Sequence, residues 1–154
     1  VVVKDHPDMA GYRAPSYLEK IARTPNVKLI DWRTPSEVVL KNATLVVSPN
    51  GSTLAEAAFL KIPTIQLGNL GTTLCLPSVF HHSNLYTLSQ KIKEVLKTDL
   101  NTSAYDKQLL NFVAAVYDAG FDFDYFSVWE KGKGENMEKL WEIYKKEIIK
   151  VLNH

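Results

Sequence analysis

Between residues 45 and 58 the chain passes from a continuously apolar stretch, Leu45-Val46-Val47-Ser48, through Pro49-Asn50, into Gly51-Ser52-Thr53 and then Leu54-Ala55-Glu56-Ala57-Ala58. A short apolar run that breaks at a small-residue turn into a helical pattern is the building unit of an α/β fold. The run is too uniformly apolar for a sheet wetted on one side, so it is expected to be covered on both faces. At such a helix start the amides of Gly51, Ser52 and Thr53 lack intrahelical acceptors, and the helix dipole adds roughly half a positive charge. A phosphate suits that environment. The plainer alternative is that Asn50 or Ser52 simply caps the helix, since both residue types are favoured there. A second segment weighs against the plain reading: Val1-Val2-Val3 runs into Lys4-Asp5-His6-Pro7, placing a cation and an imidazole at the end of another expected strand.

The remaining pattern repeats this alternation. Pro15 sits at a first-turn position before residues 16–23, where Tyr17, Leu18 and Ile21 share a helical face, and Thr24-Pro25-Asn26 ends that helix. Val27-Lys28-Leu29-Ile30 reads as a strand with Asp31-Trp32-Arg33 at its C-terminal end. Thr34-Pro35-Ser36-Glu37 carries the proline and early acid of a helix start. In the helix after Gly51, Leu54, Ala57, Ala58 and Leu60 are expected to face the core. Pro63-Thr64-Ile65-Gln66-Leu67-Gly68 is the next strand, followed by a Gly-Asn-Leu-Gly loop in which Gly68 permits close approach of a ligand or merely sets the turn. A last strand is expected over 84–88, with Ser89 capping a helix through Lys97. Strands and helices alternating at this spacing imply right-handed crossovers and a parallel sheet, whose ligands sit at the C-terminal strand ends.

Beyond residue 100 the strand pattern stops. Leu109, Leu110, Val113, Val116 and Tyr117 mark one amphipathic helix ended by Gly120, and Met137, Leu140, Trp141, Tyr144, Ile148, Val151 and Leu152 mark another. The intervening Phe121-Asp122-Phe123-Asp124-Tyr125-Phe126 is expected to pack under a surface loop, the alternative being a docking surface for another domain or an acyl chain. Lys131-Gly132-Lys133-Gly134 follows no strand and reads as a linker. The expected organisation is therefore an α/β domain over 1–100 and a helical extension over 101–154.

Charge and cysteine content narrow the function. With 18 basic and 17 acidic residues the formal net charge is +1, and no long basic run argues for nucleic acid as a partner. One cysteine, Cys75, can form neither an internal disulfide nor a thiol pair for zinc, which suits a reducing cytoplasm. His81 and His82 are spaced for neither a helical metal pair nor a triad, so no metal is expected. No apolar stretch reaches the roughly 20 residues of a membrane-spanning helix. The first residue, Val1, opens inside an expected core strand, so the chain reads as the C-terminal part of a longer enzyme.

Taken in order, Lys4-Asp5-His6-Pro7, Asn26 to Asp31, Ser48 to Ala57 and Lys61 to Gly68 resemble the bacterial capsule polysaccharide biosynthesis family. The same motifs are similar to the C-terminal nucleotide-binding half of GT-B-fold enzymes, including His-Pro-motif sialyltransferases, Kdo and CDP-glycerol transferases and the non-hydrolysing UDP-N-acetylglucosamine 2-epimerase. The resemblance spans roughly residues 1–97. It implies a Rossmann-like parallel sheet with flanking helices and a helical C-terminal extension. It further implies that the turn Asn50-Gly51-Ser52-Thr53, with Gly68, holds the donor phosphate and that Glu56 bonds the ribose hydroxyls. A carboxylate one turn into the helix can accept from a vicinal diol with both oxygens, although an early-helix acid is also favoured by the dipole alone. His6 would contact the nucleotide phosphate and offset charge on the leaving group, with Lys4 assisting, although strand alternation allows Lys4 to point away. Asp31 and Trp32 would flank the base. Two positions depart from the resemblance: Pro49 interrupts the small polar run, and Lys61 stands where glycine is common.

These implications converge on the donor-binding domain of a glycosyltransferase for capsular or other surface polysaccharide. The donor would be a CMP- or UDP-linked sugar, no other cofactor is implied, and a glycan or lipid-linked acceptor would be held by an N-terminal domain. Localisation would be cytoplasmic, at most peripheral to the inner face of the membrane. The alternatives are a 2-epimerase-like domain, which needs further acids, and a non-catalytic Rossmann-like docking module.

Overall fold

The computed structural model describes residues 1–121, 123, 124 and 135–153, apart from the side chains of 135 and 136. They form two compact units, 1–112 and 113–154. In the first unit, β1 (Val2–Lys4), α1 (Pro15–Ala22) and β2 (Lys28–Ile30) make a parallel βαβ crossover in which Val2 pairs with Lys28 and Lys4 with Ile30. After α2 (Ser36–Leu40), a second crossover joins β3 (Val46–Ser48), α3 (Ser52–Phe59) and β4 (Thr64–Gln66). β5 (Val79–His81) then pairs parallel with β4, and α4 (Leu88–Val95) follows. α5 (Ser103–Ala119) starts in this unit and runs across its boundary.

The chain is thus α/β, with flanking helices and all-parallel pairing. Among the described residues it carries two ladders, β1-β2 and β3-β4-β5, where the alternation of elements suggested one sheet. Periodicity marks strands but does not encode which strands share a ladder.

Local chemistry explains most boundaries. Pro15 occupies the first turn of α1, where its missing N–H costs nothing, and Asn26 turns the chain out at φ 61°, in the left-handed region that asparagine tolerates. Gly51 takes φ 122°, which frees the chain to enter α3 directly from β3. α3 buries Leu54, Ala57 and Ala58 completely, and the two alanines permit close packing; Leu60, expected inward, is 44% exposed because it lies just past the last turn. β4 is buried at all three residues, as the central strand of its sheet. Val47 of β3, by contrast, is partly open, so that strand is less covered than its composition suggests. Tyr105 at the start of α5 fastens the end of α3 by donating its hydroxyl to the Ala58 carbonyl at 2.7 Å, and Lys61 pairs with Asp106 at 2.6 Å. Lys61 holds φ 56°, the conformation for which glycine is favoured.

The last strand differs from expectation. Residues 85–87 form a 3₁₀ turn because the Asn84 side chain accepts the Tyr86 N–H at 3.0 Å, and Leu85 and Tyr86 lie exposed. The strand is Val79–His81 instead, and α4 starts one residue before Ser89, with Thr87 at its N-cap.

In the second unit the described elements are the end of α5, terminated at Gly120, and α6 (Glu135–Leu152). Phe121 and Phe123 meet edge to face at 5.8 Å. Asp122, Tyr125, Phe126 and the expected linker 131–134 lie outside the described residues. No described helix is long and apolar enough to cross a membrane.

Candidate functional site

The strand ends gather the sequence-predicted residues into two groups. The first surrounds a cavity of about 380 Å³ at the C-terminal ends of β1 and β2, lined by His6, Asp31 and Trp32 together with Asp5, Arg13 and Arg33. Asp5 organises one wall: its Oδ1 accepts the His6 N–H at 2.9 Å and its Oδ2 accepts the Arg13 Nε–H at 2.5 Å. The hydrogen bond from Arg13 holds the Asp5 carboxyl below the usual carboxylate range, and the same bond raises the Arg13 guanidinium further. Arg13 also stands 5.2 Å from the centre of the Tyr17 ring. His6 introduces the 3₁₀ turn Pro7–Met9, its Nδ1 accepting the Asp8 N–H at 3.2 Å, so in the neutral ring the proton belongs on Nε2. With its side chain 68% exposed, His6 is open to a ligand.

On the opposite wall, Asp31 Oδ1 accepts the Arg33 N–H at 2.8 Å and its Oδ2 accepts from Arg33 Nη1 at 3.3 Å. The Arg33 guanidinium lies 4.6 Å over the Trp32 ring. Lys4 belongs to the β1 ladder opposite Ile30 and does not line the cavity.

The second group lies where β3 and β4 end. Neither Asn50 nor Ser52 caps α3: Gly51 holds the N-cap position and no side chain bonds the first turn. Asn50 Oδ1 instead accepts the neighbouring Gly51 N–H at 2.8 Å, and the Ser52 hydroxyl donates to Glu56 Oε1 at 3.1 Å. Of the three amides expected to be available, Gly51 is therefore occupied, while Ser52 and Thr53 begin the helix without intrahelical acceptors. Glu56 is exposed and keeps Oε2 for another partner.

Gly68 closes against this turn. Its N–H donates to the Pro49 carbonyl at 2.8 Å, and a Cβ there would stand 2.6 Å from that oxygen, so only glycine fits. Gly71, at φ 93°, comes near the Asn50 side chain. Fully buried Gln66 holds the connecting loop: its Nε2 donates to the carbonyls of Gly68 at 2.9 Å and Leu70 at 2.7 Å, and its Oε1 accepts the Thr73 hydroxyl at 2.7 Å.

None of Asn50, Gly51, Ser52, Thr53, Glu56 or Gly68 lines the β1–β2 cavity. Sequence reasoning missed Arg13, Arg33 and Gln66. Gln66 carried a usable signal, a polar side chain amid Thr64-Ile65-Gln66-Leu67 in a strand expected to be buried, where it must find partners. Arg13 carried none, since it lies in the loop before α1, where its four-residue spacing to Tyr17 marks no helical pair and its partner Asp5 is reached only when that loop folds back. Compared with protein-family models, curated proteins and solved structures, the chain matches none.

Proposed function

We propose that this chain binds a nucleotide-sugar and serves as the donor half of a glycosyltransferase for capsular or other surface polysaccharide. The observation that carries the reading is the direction of the strands: with every pairing parallel, Lys4 to His6, Asp31 and Trp32, Asn50 to Glu56, and Gly68 all follow the C-terminal end of a strand, where ligands of α/β sheets bind. The uncapped amides of Ser52 and Thr53 suit a phosphate, and Glu56 has a carboxylate oxygen to spare for a ribose hydroxyl. His6, exposed in the cavity, would offset charge on the departing phosphate, while Asp31 and Trp32 flank the base. The transfer would be a direct displacement from a CMP- or UDP-linked donor, with the acceptor and the catalytic base supplied by a second domain of the GT-B type.

Titration with CMP, CDP and UDP, followed by amide chemical shifts, tests this. Shifts at Gly51 to Glu56 are expected. Silence there at saturating nucleotide overturns the reading and favours a docking module. Glu56→Ala is expected to weaken nucleotide binding by about 1–3 kcal/mol, the worth of a hydrogen bond to a charged acceptor.

A further inference from the structure

We infer that the cavity between the ends of β1 and β2 is an oxyanion-binding site, with Arg13 as its anchor and Arg33 as its second arm. Each wall repeats the same arrangement. After β1, Asp5 holds Arg13 through Nε at 2.5 Å and the guanidinium stands by the Tyr17 ring; after β2, Asp31 holds Arg33 through Nη1 at 3.3 Å and the guanidinium lies over Trp32. Both arginines line one cavity, with His6 beside them.

A guanidinium carries five N–H donors in a planar fork. These contacts use one donor of each side chain, and at Arg13 it is the Nε–H, which leaves both terminal amino groups as the parallel pair that matches two oxygens of a phosphate or carboxylate. A carboxylate at one edge and a ring at one face fix the fork before any ligand arrives, so less ordering entropy is lost on binding. Arg13 is the stronger of the two because its side chain is only 34% exposed, against 70% for Arg33. The two aspartates cancel the two arginine charges, so recognition comes from directed donors at short range rather than from a net field. That distinguishes the site from a basic surface patch, whose affinity collapses with salt. A volume of about 380 Å³ accommodates a phosphate ester or a small dicarboxylate.

The inference shares His6, Asp31 and Trp32 with the nucleotide-sugar reading but does not depend on it, and it is tested on the full chain with inorganic pyrophosphate as probe, malonate and UDP serving as comparison ligands. Calorimetry gives affinity, and the Arg13 Nε–H and Trp32 indole N–H resonances report position. Pyrophosphate is expected to move both resonances. Arg13→Gln is expected to weaken binding about tenfold or more, and Arg13→Lys, which keeps the ion pair with Asp5 but loses the fork, nearly as much. Arg33→Gln, being exposed, should cost roughly threefold. Raising salt well above physiological strength should change affinity by no more than about threefold. Malonate binding as tightly as pyrophosphate marks a carboxylate site, and weaker malonate binding marks a phosphate site. Stationary Arg13 and Trp32 resonances at saturation, or unchanged affinity in Arg13→Gln, overturn the inference. UDP shifts at 51–56 together with stationary Arg13 and Trp32 resonances under saturating pyrophosphate sink it and leave the phosphate turn of the nucleotide reading standing. Pyrophosphate in the cavity with silence at 51–56 under saturating UDP does the reverse.

Discussion

Replacing Gln66 by methionine removes three hydrogen bonds from a fully buried side chain while nearly conserving its volume. Each such bond contributes about 1 kcal/mol net, and a polar group left buried without a partner costs more. The three losses are not equal. Leu70 is 74% exposed, so water can reach the carbonyl that Gln66 abandons there, whereas Gly68 and Thr73 are half-buried and their groups are harder to rehydrate. The expected destabilisation is about 2–3 kcal/mol, measured by urea denaturation of the intact chain. Gln66→Glu adds a pH signature. The new carboxylate would face two carbonyl oxygens in a buried place, which raises its folded pKa above the unfolded value near 4.3. The folded state then binds the extra proton, so this variant should lose stability as pH rises through 4 to 7, opposite to the usual acid limb. A loss below about 0.5 kcal/mol in the methionine variant, or a glutamate variant with no added pH slope, would refute the view that this side chain holds the loop.

Gly68→Ala should separate the ends of β3 and β4, because its Cβ would stand 2.6 Å from the Pro49 carbonyl; a loss of about 2 kcal/mol or more in thermal or urea unfolding is expected. Arg13→Gln should let the Asp5 carboxyl return toward its ordinary value in a carbon-detected pH titration. In the unsubstituted chain the stability from this pair is present at neutral pH and lost as pH falls below about 4, through the depressed folded pKa of Asp5. Lys61→Gly should relieve a left-handed backbone worth about 1 kcal/mol but lose the ion pair with Asp106, so stability should change by less than about 0.5 kcal/mol. Tyr105→Phe, which removes the hydroxyl donor to the buried Ala58 carbonyl but leaves it the Lys61 N–H at 3.0 Å, should cost about 1 kcal/mol.

What could be read from the sequence was what short-range chemistry decides. Pro15 at the start of α1, Gly51 ahead of α3 and the apolar runs of β3 and β4 each announce themselves within a few residues. β5 did not, because Val79-Phe80-His81 offers only two apolar residues, while Leu85-Tyr86-Thr87-Leu88 has the better strand composition. One hydrogen bond from the Tyr86 N–H to the Asn84 side chain settles that competition in favour of a turn. The candidate site divides the same way. The turn at 50–53 and the strand-end His6 and Asp31 are local motifs, whereas the Asp5–Arg13 pair and the Gln66 clamp exist only once loops are folded back. Lys61 likewise takes a glycine-like backbone geometry that no local pattern announces, and its acidic partner comes from α5.

The attachment of α3 at its far end has a mechanical side. Eight residues make a rod of about 12 Å, too short to bend appreciably. Its tail is tied to α5 by the Tyr105 hydroxyl and the Asp106 carboxylate, while its head carries the Ser52 and Thr53 amides. Leu54, Ala57 and Ala58, fully buried along the same rod, pin its middle, so the direction of those two N–H groups is set jointly by the core and by the tie to α5.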